Sequence, residues 1–510
     1  MSAPLAVRLD GISKRFGAVQ ANRGVSLEVA AGTVHGLVGE NGAGKSTLMA
    51  ILYGYYQADE GGIEIHGQPA RIANSHEAIA LGIGMVHQHF MLVDTLTALD
   101  NIMLGAEGGF FLRASKATAR KKLQALMAET GLMVRLDAFV GDLPVGELQR
   151  LELLKALYRG ARVLILDEPT AVLTPQETLQ LFETLRRLRE LGTTIILITH
   201  KLKEVMALCD AVTVMRQGQV VHKTPIGETS PELLAEAMVG RKVNLGRVAS
   251  EQTAADDQQR LMVKGLNLKD AAGVARLKDV SLTLRAGEIV GVAGVSGNGQ
   301  SELLEVLSGM AAPHSGELQI GAVRFTAEAW LEPGRARELK LAHVPEDRHA
   351  CGMVLSFPAW ETAVLGYQHQ AQYQKGASMN HAVMRAQTAE MQERFDVRPR
   401  DVNLGSSKFS GGNQQKLILA REIGQAPAVL LVGQPTRGVD IGAIEFIHGQ
   451  LRALRNAGCA VLLVSSELDE ILALADRVVV MNAGHITGEL PIEACDEKSL
   501  GLLMAAEKAA

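Results

Sequence analysis

Two short stretches of the 510-residue sequence combine residue types able to handle a phosphate chain. The first is Gly39-x-x-x-x-Gly44-Lys45-Ser46, which follows a strand-like run, Val34 to Val38, and opens a helix-like one from Lys45 onward. Glycines there let backbone N–H groups turn inward around anionic oxygens. The free N–H groups and dipole of the following helix favour the same charge. Lys45 can reach the β- and γ-phosphates of a nucleotide, and the Ser46 hydroxyl can ligate Mg²⁺. Asn41, Gly42 and Thr47 belong to the same turn, which has the P-loop pattern. The plainer reading, a Gly-rich turn ahead of a helix, is disfavoured by the strand on one side and the helix on the other.

The second stretch is Val163-Leu164-Ile165-Leu166-Asp167-Glu168-Pro169, an apolar run ending in two adjacent acids. Asp167 at a strand end can hold Mg²⁺ through water, and Glu168 can orient or deprotonate an attacking water. Alone, this reads equally well as a solvated acidic pair. With a phosphate-binding turn upstream, the catalytic reading prevails.

Such residues need a scaffold, and the sequence supplies candidate strands. Val163 to Leu166, Thr194 to Thr199, Val429 to Val432 and Ala460 to Ser465 are β-branched and aliphatic and bounded by turns, as buried parallel strands are. Lys116 to Met127 has the charged, Ala/Leu-rich look of an amphipathic helix. Strands alternating with helices imply an α/β fold with a mainly parallel sheet. The order of features also recurs. Val25-Ser26-Leu27 through Ser46 returns as Val280-Ser281-Leu282 through Gly294-Val295-Ser296-Gly297-Asn298-Gly299-Gln300-Ser301, and Pro169-Thr170 returns as Pro435-Thr436. The chain is a tandem duplication of a domain about half its length. The boundary is expected in the polar stretch 241–260, leaving domains 1–240 and 261–510.

Composition narrows the function. A hydrophobic share of 47% and a charged share of 21% mark a globular chain. The net charge of -5 argues against a nucleic-acid partner, which calls for a basic excess. Cys209, Cys351, Cys459 and Cys495 form no CxxC pair and read as thiols of a reducing compartment. The start, MSAPLAVRLDGISKRF, lacks the apolar core of a signal peptide. No apolar run approaches the roughly 18 residues of a membrane span. The chain is therefore expected in the cytoplasm.

With these motifs in hand, nearly the whole sequence resembles the ABC ATPase family. The resemblance implies ATP and Mg²⁺ as cofactors. In each half it implies an antiparallel β subdomain and a helical subdomain beside the parallel core. It places Phe16 where an aromatic stacks on adenine. Gln88, in Val86-His87-Gln88, takes the Q-loop position that contacts Mg²⁺ and the membrane subunits. His200, in Ile198-Thr199-His200, takes that of the switch histidine at the γ-phosphate. Phe409-Ser410-Gly411-Gly412-Asn413-Gln414-Gln415 resembles the signature segment, whose Ser hydroxyl and Gly N–H groups at a helix start grip a γ-phosphate. In this family two domains pair head to tail. The first site would thus join Lys45, Ser46, Gln88, Asp167, Glu168 and His200 to Ser410, Gly411, Gly412 and Asn413, with Asp440 as its D-loop. Every role in it is filled.

The other pairing fails repeatedly. Gln300 stands for the lysine, Gly433 for the metal-holding Asp, Gln434 for the catalytic Glu, Ser466 for the switch His and Glu346 for the Q-loop Gln. Its signature reads Leu143-Pro144-Val145-Gly146-Glu147, without a Ser hydroxyl. A glutamine cannot take a proton at neutral pH. One hydrolytic site is expected, and whether the second holds nucleotide stays open, since Ser301 and the loop's N–H groups remain.

A VPEDR segment and Ser465-Ser466-Glu467 resemble the importers of simple sugars and nucleosides. Gly84 to Val93 (GMVHQHFMLV), Gly433-Gln434-Pro435-Thr436 and Gly442 to His448 resemble the nucleoside branch more than the ribose and galactose branch. The resemblance implies a peripheral protein at the cytoplasmic face of the cell membrane. It would dock two permease subunits through about Met91 to Leu143 and serve, indirectly, an extracytoplasmic solute-binding lipoprotein. Pairing with a second copy of the chain stays open. The rival class is a soluble tandem ATPase of the ribosome or DNA, which would keep two competent sites and carry a charged linker or basic tail.

Overall fold

A computed structural model of the chain describes residues 4–17, 19–87, 90–106, 112–170, 173, 175–243, 256–295, 297–376 and 378–505. It divides into two compact units, Met1–Val243 and Asn244–Ala510.

The first unit contains strands β1 (Leu5–Phe16), β2 (Val19–Ala30), β3 (Val34–Gly39), β4 (Glu60–Ile65), β5 (Gln68–Ala70), β6 (Ile83–Val86), β7 (Val163–Asp167), β8 (Thr194–Ile198), β9 (Ala211–Arg216) and β10 (Gln219–Pro225). They form an antiparallel sheet, β2-β1-β4-β5, and a six-stranded sheet, β10-β9-β3-β8-β7-β6. In the six-stranded sheet only β10 runs antiparallel. Patterning explains both. Along β2, Val25, Leu27 and Val29 are buried and alternate with exposed Ser26 and Glu28, the period of a one-sided sheet. Strands β3 and β8 are buried at every position, as strands covered on both faces must be. Between β6 and β7 lie the helices Ala98–Met103, Leu112–Thr130 and Val145–Tyr158. The expected amphipathic helix is the middle one. It buries Ala119, Leu123, Met127 and Thr130, one stripe at helical spacing.

The second unit repeats this plan with β11 (Asp256–Lys269), β12 (Ala275–Ala286), β13 (Ile289–Ala293), β14 (Ser315–Ile320), β15 (Val323–Thr326), β16 (Leu341–Val344), a small hairpin of β17 (Gln374–Lys375) and β18 (Ser378–Met379), β19 (Val429–Gly433), β20 (Ala460–Val464), β21 (Arg477–Asn482) and β22 (His485–Pro491). Its sheets run β12-β11-β14-β15 and β16-β19-β20-β13-β21-β22. Strand for strand, the order is that of the first unit. One boundary needs correction. Strand β11 starts at Asp256, so residues 256–260 of the expected linker are strand. Asp256 pairs with Ala286 and Gln259 with Arg285. At the first unit's end, the helix Pro231–Val239 stops at a left-handed Gly240 (φ 86°).

Candidate functional site

Strand β3 sits inside its sheet and delivers the Gly-rich turn at its carboxyl end. A Cβ at Gly39 would stand 2.2 Å from the Met215 carbonyl oxygen. At Gly44, where φ is 96°, it would stand 2.3 Å from the Ala21 carbonyl oxygen. The neighbouring backbone therefore demands glycine at both places. Buried Asn22, which sequence reasoning passed over, donates from Nδ2 to the Gly44 carbonyl at 3.1 Å and fixes the turn. The helix Lys45–Leu52 starts there without a side-chain cap, and the dipole at its start favours an anion. The buried Lys45 Nζ donates to the Gly39 and Glu40 carbonyls at 2.7 and 3.0 Å, curling its charge over the turn. Asn41, Gly42 and Ser46 are exposed on the turn and Thr47 is half-buried.

The acids come from the end of β7. The Ser46 hydroxyl stands near enough to the Asp167 carboxylate to favour its charged form. Burial, then the neighbouring Glu168 charge, raises Asp167 above the usual carboxylate range, while Lys45 and Ser46 hold it back. A carboxylate so destabilised, beside a hydroxyl and an anion cradle, fits a Mg²⁺ that would face Ser46, Asp167 and phosphate oxygens. Glu168 takes a left-handed φ of 48°, and its N–H donates to the Ile198 carbonyl at 2.9 Å, tying the ends of β7 and β8 together. Two residues past β8, His200 Nδ1 lies 2.8 Å from Glu168 Oε1. Burial raises the Glu168 pKa, but the His200 contact, with Lys45 and Lys201 charges, outweighs it and the net direction is down. An ionised Glu168 beside a phosphate cradle can orient and deprotonate a water. So Lys45, Ser46, Asp167, Glu168 and His200 do converge. Phe16, at the end of β1, remains exposed and meets Tyr56 edge-on at 5.0 Å between ring centroids. Tyr56 carries no motif, so sequence reasoning did not find it. Gln88 lies outside the described residues.

In the second unit the same backbone carries other side chains. The helix Gln300–Ser308 begins after a left-handed Gly299 (φ 103°). Gln300 Nε2 donates to the Val295 carbonyl at 3.2 Å. Gln434 repeats the strain of Glu168 (φ 46°) and its N–H bond, here to Val464 at 2.8 Å. Its Oε1 accepts from the Ser466 N–H and hydroxyl at 3.1 and 3.0 Å. An amide–hydroxyl pair thus stands where the first unit has a carboxylate–imidazole pair, and neither the amide nor the hydroxyl can take a proton.

The signature residues sit at a helix start. Ser410 caps Gly411–Ile423, and Asn413 Nδ2 donates to its hydroxyl at 2.9 Å. Asn413 Oδ1 accepts the Arg398 N–H at 2.7 Å. Gly412 is buried and Gly411 half-buried. Asp440 caps the helix Ile441–Asn456. The first unit's counterpart caps Val145–Tyr158 with Pro144, which offers no side-chain bond. There Glu147 Oε1 accepts the Arg135 N–H at 2.7 Å while Oε2 pairs with the Arg135 guanidinium at 2.9 Å. The backbone bracing survives, but the phosphate-facing hydroxyl does not.

Among the described residues no helix is long and apolar enough to cross a membrane. Cys209 and Cys459 are buried free thiols, and burial raises both above the usual thiol range, Cys459 to about 12.

A nucleotide cradle on a plan built twice, followed in the first unit by two strand-end acids, defines a tandem ATP-binding protein. The family model described as ABC transporter matches residues 22–171 and 277–437. The chain is 43% identical to a nucleoside import ATP-binding protein, NupA, of Lactococcus lactis subsp. cremoris, over 99% of each chain. It is also 43% identical to a guanosine import ATP-binding protein, NupO, of Bacillus subtilis, over 98% of this chain and 97% of that one. A ribose import ATP-binding protein, RbsA, of Chromobacterium violaceum is 37% identical over 97% of each. The chain belongs to the ABC transporter family.

Proposed function

We propose that the chain hydrolyses ATP to drive the import of nucleosides through a membrane transporter. The observation that carries hydrolysis is the convergence of Lys45, Ser46 and Asp167 on one cradle, with Glu168 paired to His200 at 2.8 Å beside them. The cofactor is Mg²⁺–ATP. The competent site joins the first cradle to the signature Ser410, Gly411, Gly412 and Asn413. The second cradle does not hydrolyse, since Gln300, Gly433, Gln434 and Ser466 replace the lysine, the strand-end Asp, the Glu base and the switch His. ATP binding favours a closed pairing of the domains and hydrolysis lets it reopen, a shift set by the difference in affinity between the two states. Two permease subunits at the cytoplasmic face of the membrane turn with that cycle, and an extracytoplasmic binding protein delivers the solute.

The choice of solute rests on similarity. Relatives named for nucleoside and guanosine import stand at 43% identity over nearly the whole chain, against 40% for one named for glucose import and 37% and 39% for two named for ribose import. The test is uptake of labelled guanosine and other nucleosides by cells lacking the chain, rescued with wild type or Glu168→Gln, with ribose and galactose in parallel. Restoration of nucleoside uptake by wild type alone is expected. Restoration of sugar uptake alone removes the nucleoside assignment. If no solute depends on the chain and ribosomal RNA co-purifies with it, the transport reading falls to the soluble rival.

A further inference from the structure

Beside the signature of the second unit stands an arginine that the first unit lacks. Arg348 is the fourth residue after β16, and its counterpart, the fourth residue after β6, is Phe90. The residues next to it change in step. Gly411 and Gly438 stand where the first repeat has Val145 and Val172. A Cβ on Gly411 would lie 2.8 Å from Arg348 Nη2, and one on Gly438 would lie 3.9 Å from it. The guanidinium therefore occupies the space that side chains at 411 and 438 would fill. That space lies between the start of the signature helix and the turn that leads to Asp440. One arginine with two glycines replaces one phenylalanine with two valines.

The segment that carries Arg348 is fixed on both sides. Arg348–Gly352 is a single π-helical turn, a form frequent at functional sites. Asp347 Oδ1 caps it, accepting the His349 and Ala350 N–H groups at 2.8 and 3.0 Å. His349 Nε2 lies 3.0 Å from Oε1 of buried Gln414, the fourth residue of the signature helix. Arg348 Nη1 donates to the Arg437 carbonyl at 3.1 Å. The charge of Arg348 is not matched in the same way. Among the described residues no acid forms an ion pair with it, and its buried Nε has no hydrogen-bond partner. Burial makes the Arg348 cation less favourable than usual; Asp347 partly offsets this and the Arg437 charge adds to it. A half-buried cation without a counter-ion is favoured by an anion that arrives beside it.

We propose that Arg348 is a positioning residue for the signature of the second unit, which fixes Gly411 against the Arg437 carbonyl and gives the signature a positive charge that favours the terminal phosphate of ATP. The helix start offers N–H groups and a dipole to that phosphate. Arg348 adds a full charge, whose attraction reaches further than a hydrogen bond. The inference rests on the reading that this signature serves the first cradle. It adds a preference to that reading: ADP brings no third phosphate to the signature, so the charge of Arg348 acts on ATP alone.

Full-length Arg348→Lys and Arg348→Gln separate charge from bracing. Lysine keeps the charge, whereas glutamine keeps only an N–H donor for the Arg437 carbonyl. In Arg348→Gln the ATP concentration for half-maximal phosphate release should rise by roughly tenfold, the scale of one hydrogen-bonded charge. Arg348→Lys should recover most of that loss. The affinity for ADP, measured by equilibrium dialysis, should stay at the wild-type value in both. A merely structural role would weaken ATP and ADP alike and would not be rescued by charge. Arg348→Met, uncharged and of similar reach, takes the place of Arg348→Gln if that variant fails to fold. An unchanged ATP requirement in the uncharged variant, equal losses in the lysine and glutamine variants, or equal losses for ATP and ADP each overturns the proposal. Ser410→Ala, run alongside, tests the reading beneath it. If Ser410→Ala leaves turnover unchanged, the signature does not serve the first cradle and both fall. If Ser410→Ala lowers turnover while Arg348→Gln matches wild type, the role of Arg348 alone falls.

Discussion

The two units lay the same strands in the same order, start the same helix from a left-handed glycine, and hold a non-glycine residue at the same left-handed angle after the corresponding strand (φ 48° at Glu168, 46° at Gln434). At the cradles they differ in side chains at strand ends and the helix start: Lys45 against Gln300, Asp167 against Gly433, Glu168 against Gln434, His200 against Ser466. A phosphate cradle is therefore a property of backbone path. It is set by apolar strands and by glycines where another backbone passes within contact. Turnover is a property of a few groups placed on that path, and it can be removed without disturbing the fold. Strain at Gln434 makes the same point from the other side. Backbone strain of this kind marks functional sites, and here it outlasts the carboxylate it serves in the first unit.

The comparison breaks most sharply if the two residues that follow these strands are exchanged. Glu168→Gln gives the first cradle the second's amide. Loss of a general base should lower steady-state phosphate release by about 10²–10⁴-fold. Gln434→Glu should leave turnover at the wild-type level, because Lys, Asp and His are still missing around it. A gain in Gln434→Glu, or substantial turnover in Glu168→Gln, would mean that the second cradle hydrolyses.

The signature residues give the next largest difference. Ser410 presents a hydroxyl at the start of a 13-residue helix, and Pro144 presents none at the start of a 14-residue one. Ser410→Ala should reduce turnover by roughly tenfold to a hundredfold, the scale on which single phosphate- or oxyanion-facing donors act. Pro144→Ser should change it little. Equal losses from the two substitutions, measured in the same phosphate-release assay, would place both signature segments at working sites.

Most of the scaffold was legible in the sequence. The apolar runs are β3, β7, β8, β19 and β20, because a strand buried on both faces must be apolar at nearly every position. The turn glycines were legible for the same reason that they are required. The start of β11 was not. Asp256 and Gln259 are polar, and what makes them strand is pairing with Ala286 and Arg285, which local composition does not encode. The helix read as Lys116 to Met127 runs over Leu112–Thr130, since its ends add no clear apolar repeat. Among the residues named for their place in a motif, Lys45, Asp167, Glu168 and His200 lie near one another in the fold. Tyr56 and Asn22 were missed because each acts through a neighbour distant in sequence.

A third test concerns the backbone that both cradles share. Gly44→Ala places a Cβ 2.3 Å from the Ala21 carbonyl at a φ of 96°. Gly299→Ala at the matching turn meets the Arg276 carbonyl at 2.8 Å, with φ 103°. Each should destabilise its own unit, Gly44→Ala by about 3 kcal/mol and Gly299→Ala by about 2 kcal/mol, as strained backbone and close packing together require. Denaturant unfolding would measure both. A first-unit loss without a second-unit one would mean that the second turn is held less tightly than its geometry implies.

The smallest difference lies under the cradles. The second residue of β3 is His35 and that of β13 is Val290, while the third residue of β9 is Thr213 and that of β21 is Val479. All four are buried, and His35 Nε2 lies 2.8 Å from Thr213 Oγ1. Burial, and after it the Lys223 charge, lowers the His35 pKa from 6.5 to about 4. Between those values the unfolded chain binds the proton and the folded one does not. The stability that a neutral His35 permits is complete above 6.5 and lost as pH falls toward 4. At pH 5 the loss should be about 2 kcal/mol, because a tenfold change in proton binding is worth about 1.4 kcal/mol. Converting both residues, His35→Val with Thr213→Val, copies the second unit's pair. It should be near neutral at pH 7, since both partners of a buried hydrogen bond leave together. The same double variant should flatten the acid limb of the first unit's unfolding curve, whereas His35→Val alone should cost stability at pH 7 by stranding the Thr213 hydroxyl. If the double variant keeps the wild-type pH dependence, the acid sensitivity of the first unit comes from other groups.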